Sequence, residues 1–288
     1  MTRNRAWRFF VAAYIWSWVW WVPMALTLRS RDIVDLGEAP WWVFLCFAMG
    51  GYGPSLAGLF MASRDRQRGA RELLSRLKRW RAPVVVHLVL WLGPSAFLVI
   101  AMVARPAEAQ LLGDPVWSRL SLVPIALLAA IPFGPLGEEL GWRGYALPHL
   151  QRRHSALASS LIIGVAWCFW HTPLFWAPAG TTISGEAVTP AAIGLYLAYT
   201  CGLSIVYTWI YNSSRGSVLL AVLFHASGNA VLPFVLFPDR DGDAALAIEW
   251  WALVPLWATA LALIAIYGGG RLARGRRVVA RSVVEHDG

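Results

Sequence analysis

The sequence predicts an all-α polytopic membrane protein, a helix bundle of about eight transmembrane helices. Of its 288 residues, 58% are hydrophobic and 14% are charged, whereas soluble globular domains carry roughly a quarter charged residues. A span needs about 20 mostly apolar residues, and eight such runs lie at roughly 8–28, 41–62, 83–103, 119–147, 156–177, 190–211, 216–237 and 248–268. Residues 1–288 are therefore predicted to form a single transmembrane domain with a short basic tail at about 269–288.

The basic residues predict the orientation of this bundle. Nineteen Lys and Arg residues fall on one predicted side of the membrane and five on the other, with Arg143 inside a span. Because loops rich in Lys and Arg stay in the cytoplasm, both termini are predicted to be cytoplasmic. The net charge of +9 is thus explained by topology, and no nucleic-acid partner is predicted.

The loop from Arg64 to Arg81 is the most basic of these segments, and Leu73, Leu74 and Leu77 recur within it at helical spacing. Two interpretations stay open. The loop could lie on the membrane surface and contact anionic lipid, or it could act as an orientation signal alone. The sequence predicts no oligomeric state.

Three charges interrupt the fourth apolar run, at Glu138, Glu139 and Arg143. Ionisable groups at bilayer depth are costly, at roughly 2.5–3.5 kcal/mol each on insertion scales, and commonly mark functional sites. Residues four apart share a helix face, so Glu139 and Arg143 are predicted to pair and Glu138 to point elsewhere. The alternative is that all three only hold helices together, which leaves Glu138 without a partner.

The fifth run offers that partner in His171. If the two runs form an antiparallel hairpin that turns near residues 153–155, Glu138 and His171 lie equally far from the turn and at about the same depth. An isolated intramembrane histidine commonly forms a hydrogen bond between helices. A histidine level with an unpaired carboxylate favours a catalytic role instead.

The seventh run adds His225 and Asn229, which share a face because they lie four residues apart. Small residues between them, at 226–228, allow another helix or a substrate backbone to approach closely. Taken alone, the pair could equally be a polar contact between helices. Together with Glu138 and His171, it completes the groups needed to hydrolyse an amide, a base for water and donors for the oxyanion.

These motifs resemble those of the CPBP family of intramembrane proteases, which comprises CAAX proteases and bacteriocin-processing (ABI) proteins. The first family motif, two glutamates followed after three residues by an arginine, matches residues 138–143. The second, an aromatic four residues before a histidine, matches Trp167 and His171, although many members have Phe at the first position. The third, a histidine four residues before an asparagine, matches His225 and Asn229. The resemblance covers about residues 119–237.

The resemblance implies an intramembrane endopeptidase in which Glu138 and His171 activate water. His225 and Asn229 would stabilise the oxyanion, and Glu139, Arg143 and Trp167 would have supporting roles. The prolines at 132 and 135 are expected to kink the helix before the glutamates.

The resemblance leaves the metal requirement open. Family members are commonly labelled metalloproteases, and Glu138, His171 and His225 could form a zinc site of two histidines and one carboxylate with an open position for water. The sequence lacks an HExxH helix, and the same residues can act without a metal if Glu138 is the base. The metal-free interpretation is favoured.

The substrate expected from the resemblance is a membrane-associated protein or peptide, and the sequence does not show whether it is prenylated. Arg outnumbers Lys 24 to 1, which suggests a genome of high GC content and hence a bacterial plasma membrane. The alternative function is a non-catalytic scaffold or bacteriocin-immunity-type protein that binds a peptide or partner through the same polar cluster. A small-molecule transporter is disfavoured because no paired interrupted helices occur in matching halves.

Overall fold

The computed structural model describes residues 5–33, 38–64, 69–104, 123–177, 188–231, 242–275 and 278–279. These residues form helices and connecting turns without any strand. In chain order the helices are α1 (Arg5–Ser30), α2 (Trp41–Gly51), α3 (Gly53–Ser63), α4 (Gly69–Ser75), α5 (Val84–Ala104), α6 (Val123–Ala130), α7 (Pro135–Glu139), α8 (Leu147–Leu150), α9 (Ala156–Trp170), α10 (Thr172–Phe175), α11 (Pro190–Ser213), α12 (Val218–Val231) and α13 (Gly242–Tyr267). A 3-10 turn (Arg76–Lys78) follows α4, and a π-helical segment (Leu140–Ala146) joins α7 to α8.

The predicted all-α class is confirmed for the described residues. Helices α1 and α11 are each long and apolar enough to cross a membrane, and α2 with α3 forms a third such unit bent by 43°. Shorter apolar helices lie within α5, α9, α12 and α13. The chain is an integral membrane protein, while the number of eight spans stays a prediction. The start of the fourth predicted run and most of the predicted basic tail lie outside the described residues.

Tryptophan side chains of helix α1 form hydrogen bonds to neighbouring helices. The indole N–H groups of Trp16 and Trp21 donate to carbonyl oxygens of α2, those of Met49 at 2.9 Å and Phe47 at 3.0 Å. Trp18 donates to the carbonyl of Trp170 at 3.0 Å, at the end of α9. Helix α1 thus connects α2 to the end of α9 by hydrogen bonds as well as by packing.

Glycines bring α3 into direct contact with the π-helical segment. A Cβ atom added at Gly141 would lie 2.2 Å from the backbone oxygen of Pro54, and one at Gly58 would lie 3.2 Å from the Cα of Gly141. The hydroxyl of Ser55 also donates to the carbonyl of Leu136 at 2.8 Å. Small residues allow helix backbones to approach closely in membranes, and Gly58 and Gly141 have this packing role here.

The basic loop before α5 packs on the end of the bundle. Leu73 is buried and Leu77 partly buried, whereas Leu74 is exposed. The Arg76 guanidinium donates to the carbonyl of Gly144 at 3.0 Å and to the hydroxyl of Tyr211. Leu73 and Leu74 lie on α4 and Leu77 lies on the 3-10 turn, and only Leu74 is exposed.

The segment after α13 folds back over the same end. The buried carboxamides of Gln151 and Asn212 donate to each other's oxygens at 3.0 and 2.8 Å. Gln151 also donates to the carbonyl of Val278 at 2.8 Å, and Asn212 donates to that of Arg271 at 2.9 Å. The N–H of Val278 in turn donates to the Asn212 oxygen at 3.2 Å. The segment is therefore held through main-chain groups as well as through the buried side chains of Leu272 and Ala273.

Candidate active site

The two glutamates lie just after a break in the fourth predicted run. Helix α6 ends at Ala130, and α7 begins at Pro135 after a turn. Within the turn, Gly134 has a φ of +108°, a conformation that residues with a side chain rarely adopt. The kink expected from the prolines is thus a complete interruption of the helix. Beyond it, Glu138 and Glu139 are both buried, at 5% and 0% exposure.

Glu139 makes the ion pair predicted from its spacing. Its Oε1 accepts from Arg143 at 2.9 Å, although the backbone from residue 140 onward is π-helical. The same oxygen lies 2.9 Å from His225 Nδ1, a contact that residue spacing does not predict. Glu139 therefore links the first motif to the third.

The Arg143 guanidinium is enclosed by aromatic rings. It lies 3.9 Å from the ring centre of Tyr207 and 4.7 Å from that of Trp167, and it donates to the Ser204 hydroxyl at 3.3 Å. Such cation–π contacts contribute about 2 kcal/mol or more when desolvated. Neither Ser204 nor Tyr207 was identified from the sequence. Their spacing of three residues on one helix face was the available signal, but it resembles ordinary helix packing.

Glu138 points away from this pair, as predicted, and takes its partner from α9. The Trp167 indole N–H donates to Glu138 Oε2 at 2.6 Å. A charge-assisted bond of this kind is roughly twice as strong as one between neutral groups. The family resemblance implies a supporting role for Trp167, a large aromatic, and in the structure its N–H group contacts Glu138.

His171 lies at the end of α9, so the fifth predicted run is interrupted at this residue. Its Nδ1 is 2.9 Å from the carbonyl oxygen of Trp167. Because a carbonyl only accepts, Nδ1 carries the proton in this contact, and in the neutral ring Nε2 is then the basic nitrogen. Trp167 thus holds Glu138 with its side chain and His171 with its backbone.

The third motif lies on α12, facing the same region. His225 is buried, and its ring meets that of Trp167 edge to face at 5.6 Å. Its contact with Glu139 occupies Nδ1 and leaves Nε2 free of that carboxylate. Asn229 is exposed. A Cβ atom added at Gly134 would lie 3.4 Å from Glu138 Oε1 and 3.6 Å from Asn229 Nδ2, so both polar groups border the space beside this glycine.

The proposed metal ligands Glu138, His171 and His225 are not grouped as a ready three-ligand set among the described residues. Among the described residues, no three His, Cys, Asp or Glu side chains are grouped so that they could hold a metal ion. The Nδ1 atoms of His171 and His225 are engaged with Trp167 and Glu139. These contacts leave Nε2 of each histidine able to bind a metal, so they neither favour nor exclude zinc, and the metal requirement stays a prediction.

The fold and this site define a helical integral membrane protein with buried carboxylates and imidazoles of the kind used in acid–base chemistry. Comparison with known proteins agrees with that class. Residues 120–231 match the family model of type II CAAX prenyl endopeptidase Rce1-like proteins. The matched segment contains all three motifs, and the predicted resemblance to the CPBP family is confirmed.

A curated relative gives the same result. The chain is 30% identical over 150 residues to the CAAX prenyl protease 2 of Methanococcus maripaludis. The aligned part is 49% of this chain and 52% of that protein. The chain therefore spans about half the length of the curated relative it matches.

Proposed function

We propose that the protein is an intramembrane endopeptidase of the CPBP type, which hydrolyses a peptide bond in a membrane-associated protein or peptide. The observation that carries the proposal is the double contact of Trp167, which joins Glu138 and His171. These two groups are the proposed activators of water. A residue that holds both through separate atoms gives the pair the fixed geometry that general-base catalysis requires.

In the proposed reaction, a water molecule bound beside Gly134 gives a proton to Glu138 or to His171 Nε2. The resulting hydroxide forms a bond to the carbonyl carbon of the substrate. The accepted proton then passes to the leaving nitrogen as the carbon–nitrogen bond breaks, which produces a carboxylic acid and an amine. No proton is gained or lost overall.

The oxyanion formed in that step would be stabilised by His225 and Asn229. The carboxamide of Asn229 donates directly, whereas His225 donates from Nε2 when both ring nitrogens carry protons. Glu139 would then accept from Nδ1 and fix the ring, as carboxylates commonly do for catalytic histidines. Removing one oxyanion donor typically lowers kcat by roughly 10²–10³-fold.

The proposed setting is a bacterial plasma membrane crossed by about eight spans, with both termini in the cytoplasm. The basic loop around α4 would then face anionic lipid headgroups from the cytoplasmic side. The relative's name, CAAX prenyl protease, supplies the first probe to test, an internally quenched peptide that ends in a prenylated CAAX sequence. If the host is a bacterium without prenylated proteins, the substrate is another membrane-associated protein or peptide. Comparing protein termini in host cells identifies the substrate without choosing one in advance.

The decisive test compares new protein termini and released peptides in host cells that express wild type, Glu138→Ala or Glu138→Gln at equal levels. Termini present only with wild type would establish proteolysis and identify the substrate. Identical profiles, together with a host phenotype that survives Glu138→Gln, would refute the protease and support the scaffold or immunity-type alternative. Thermal stability of the purified variants controls for loss of fold.

Metal dependence needs a separate measurement. We expect the purified protein to contain less than stoichiometric zinc and to retain activity in a chelator, because Glu138 can act as the base. Stoichiometric zinc, with activity lost to chelator and restored by zinc, would overturn the metal-free form of the proposal.

A further inference from the structure

Helix α1 carries none of the three motifs and lies outside the segment that matches the family model, yet it reaches the site through Trp21. The Trp21 ring stacks on the His171 imidazole with centroids 6.1 Å apart and planes 22° apart. It also lies 4.4 Å from the ring of Trp170. Resting on the proposed function above, we propose that Trp21 is a positioning residue that fixes the His171 ring for proton transfer.

His171 needs such support because it caps α9 instead of lying within it. Its one described hydrogen bond, from Nδ1 to the Trp167 carbonyl, restrains the ring at one edge. Trp170 and Tyr196 meet the imidazole edge to face, at 4.7 and 5.6 Å. The Trp21 ring is nearly parallel to the imidazole, so it opposes rotation of the His171 ring. Such a rotation would break the Nδ1 bond to Trp167 and move Nε2 out of the position proposed for proton transfer.

Trp21 is itself held in one orientation. It is 2% exposed, and its N–H donates to the Phe47 carbonyl at 3.0 Å. Gly50 leaves the space that the indole occupies, because a Cβ atom there would lie 2.2 Å from Trp21 Nε1. The adjacent Gly51 has no such contact, since a Cβ atom there meets nothing within 4 Å. The indole orientation therefore depends on glycine at residue 50.

The neighbouring glycines provide a matched pair of variants. Gly50→Ala displaces the Trp21 ring without removing it, while Gly51→Ala adds the same methyl group in open space. A second pair tests the ring directly. Trp21→Leu removes both the stacking and the hydrogen bond to α2, whereas Trp16→Leu removes a similar bond to α2, at Met49, away from His171. Trp21→Phe keeps a ring face and should rescue the function in part.

The first readout needs no substrate. The full-length protein in detergent is treated with diethylpyrocarbonate, and carbethoxylation of His171 is followed by peptide mass spectrometry. We expect the modification rate to rise about threefold or more in Trp21→Leu and Gly50→Ala, because a ring released from packing becomes locally more mobile and accessible. The rate should stay at the wild-type value in Trp16→Leu and Gly51→Ala.

The second readout is turnover of the prenylated CAAX probe or, if that peptide is not cleaved, of the substrate identified by the terminal analysis. A misplaced base slows the chemical step, so kcat should fall roughly ten- to hundredfold in Trp21→Leu and Gly50→Ala, with KM within about twofold. Trp21→Phe should recover at least half of the lost activity on a logarithmic scale.

The two readouts separate this inference from the proposed function. An unchanged His171 modification rate in Trp21→Leu overturns the inference, and so does faster modification with wild-type kcat. Equal losses in Gly50→Ala and Gly51→Ala also overturn it. If wild type cleaves nothing, the proposed function fails, and the modification rates still decide whether Trp21 orders His171.

Discussion

Replacing Trp167 with phenylalanine tests how much the site depends on one N–H group. The change keeps an aromatic ring beside Arg143 and His225 but removes the donor that bonds Glu138 Oε2 at 2.6 Å. Hydrogen bonds to charged groups contribute about 1.5–3 kcal/mol. Glu138 is 5% exposed, and phenylalanine offers no donor in place of the indole N–H.

If that bond positions Glu138 for water activation, its loss raises the activation free energy by about the same amount. Each 1.4 kcal/mol corresponds to about a tenfold change, so we expect kcat/KM to fall by roughly ten- to a hundredfold in Trp167→Phe. The assay is cleavage of the quenched probe or of the substrate found by terminal analysis, at saturating and limiting concentrations. Trp167→Phe should affect kcat more than KM.

Trp209 supplies the control. Its ring is fully buried in a different cluster, and its indole N–H finds no hydrogen-bond partner among the described residues. Trp209→Phe therefore makes the same change in ring size without breaking a hydrogen bond. Wild-type kinetics in Trp167→Phe would refute the reasoning because the hydrogen bond would then not contribute to catalysis. Equal losses in the two variants would also refute it, because the change in ring size would then explain the effect.

Three further predictions concern stability. Glu139→Gln leaves the buried Arg143 without its counter-charge and should cost about 3–5 kcal/mol of unfolding free energy. Adding Arg143→Met should restore part of the lost stability. If the two single losses simply add in the double variant, the pairing is contradicted. Gly141→Ala places a methyl group 2.2 Å from a backbone oxygen of α3. The resulting overpacking should cost about 1–3 kcal/mol and lower the thermal midpoint. An unchanged midpoint would disprove this contact. Partial burial raises the pKa of Glu72, but the hydrogen bond from Arg79 and the charges of Arg79 and Arg76 outweigh burial, so the net pKa is lowered. Because the folded pKa is lower than the unfolded pKa, ionised Glu72 stabilises the fold above the unfolded pKa. This stabilisation is lost as the pH falls through the folded pKa. Wild type should therefore lose slightly more stability than Glu72→Gln, by under about 1 kcal/mol, as the pH falls below roughly 5 in thermal melting experiments. Identical pH profiles of the two proteins would reject this assignment.

Sequence reasoning succeeded where local geometry determines the contact. The Glu139–Arg143 pair follows from residue spacing, and the prolines before Glu138 predicted a kink where the structure has a full interruption of the helix. The contacts of Glu139 with His225 and of Trp167 with Glu138 could not be predicted, since each depends on how separate helices rotate against one another. The π-helical segment, whose Gly141 packs against α3, was also not predicted.

The attachment of the segment after α13 has a consequence for how this protein tolerates sequence change. Gln151 and Asn212 bind carbonyl and N–H groups that every residue except proline possesses. A saturation mutagenesis library should therefore accept many side chains at the exposed Arg271. Val278 is partly buried against the core, so it should accept mainly apolar residues, and proline is excluded there because it lacks the N–H. The same library should be strongly depleted at Gln151 and Asn212, where any replacement leaves buried amides unsatisfied.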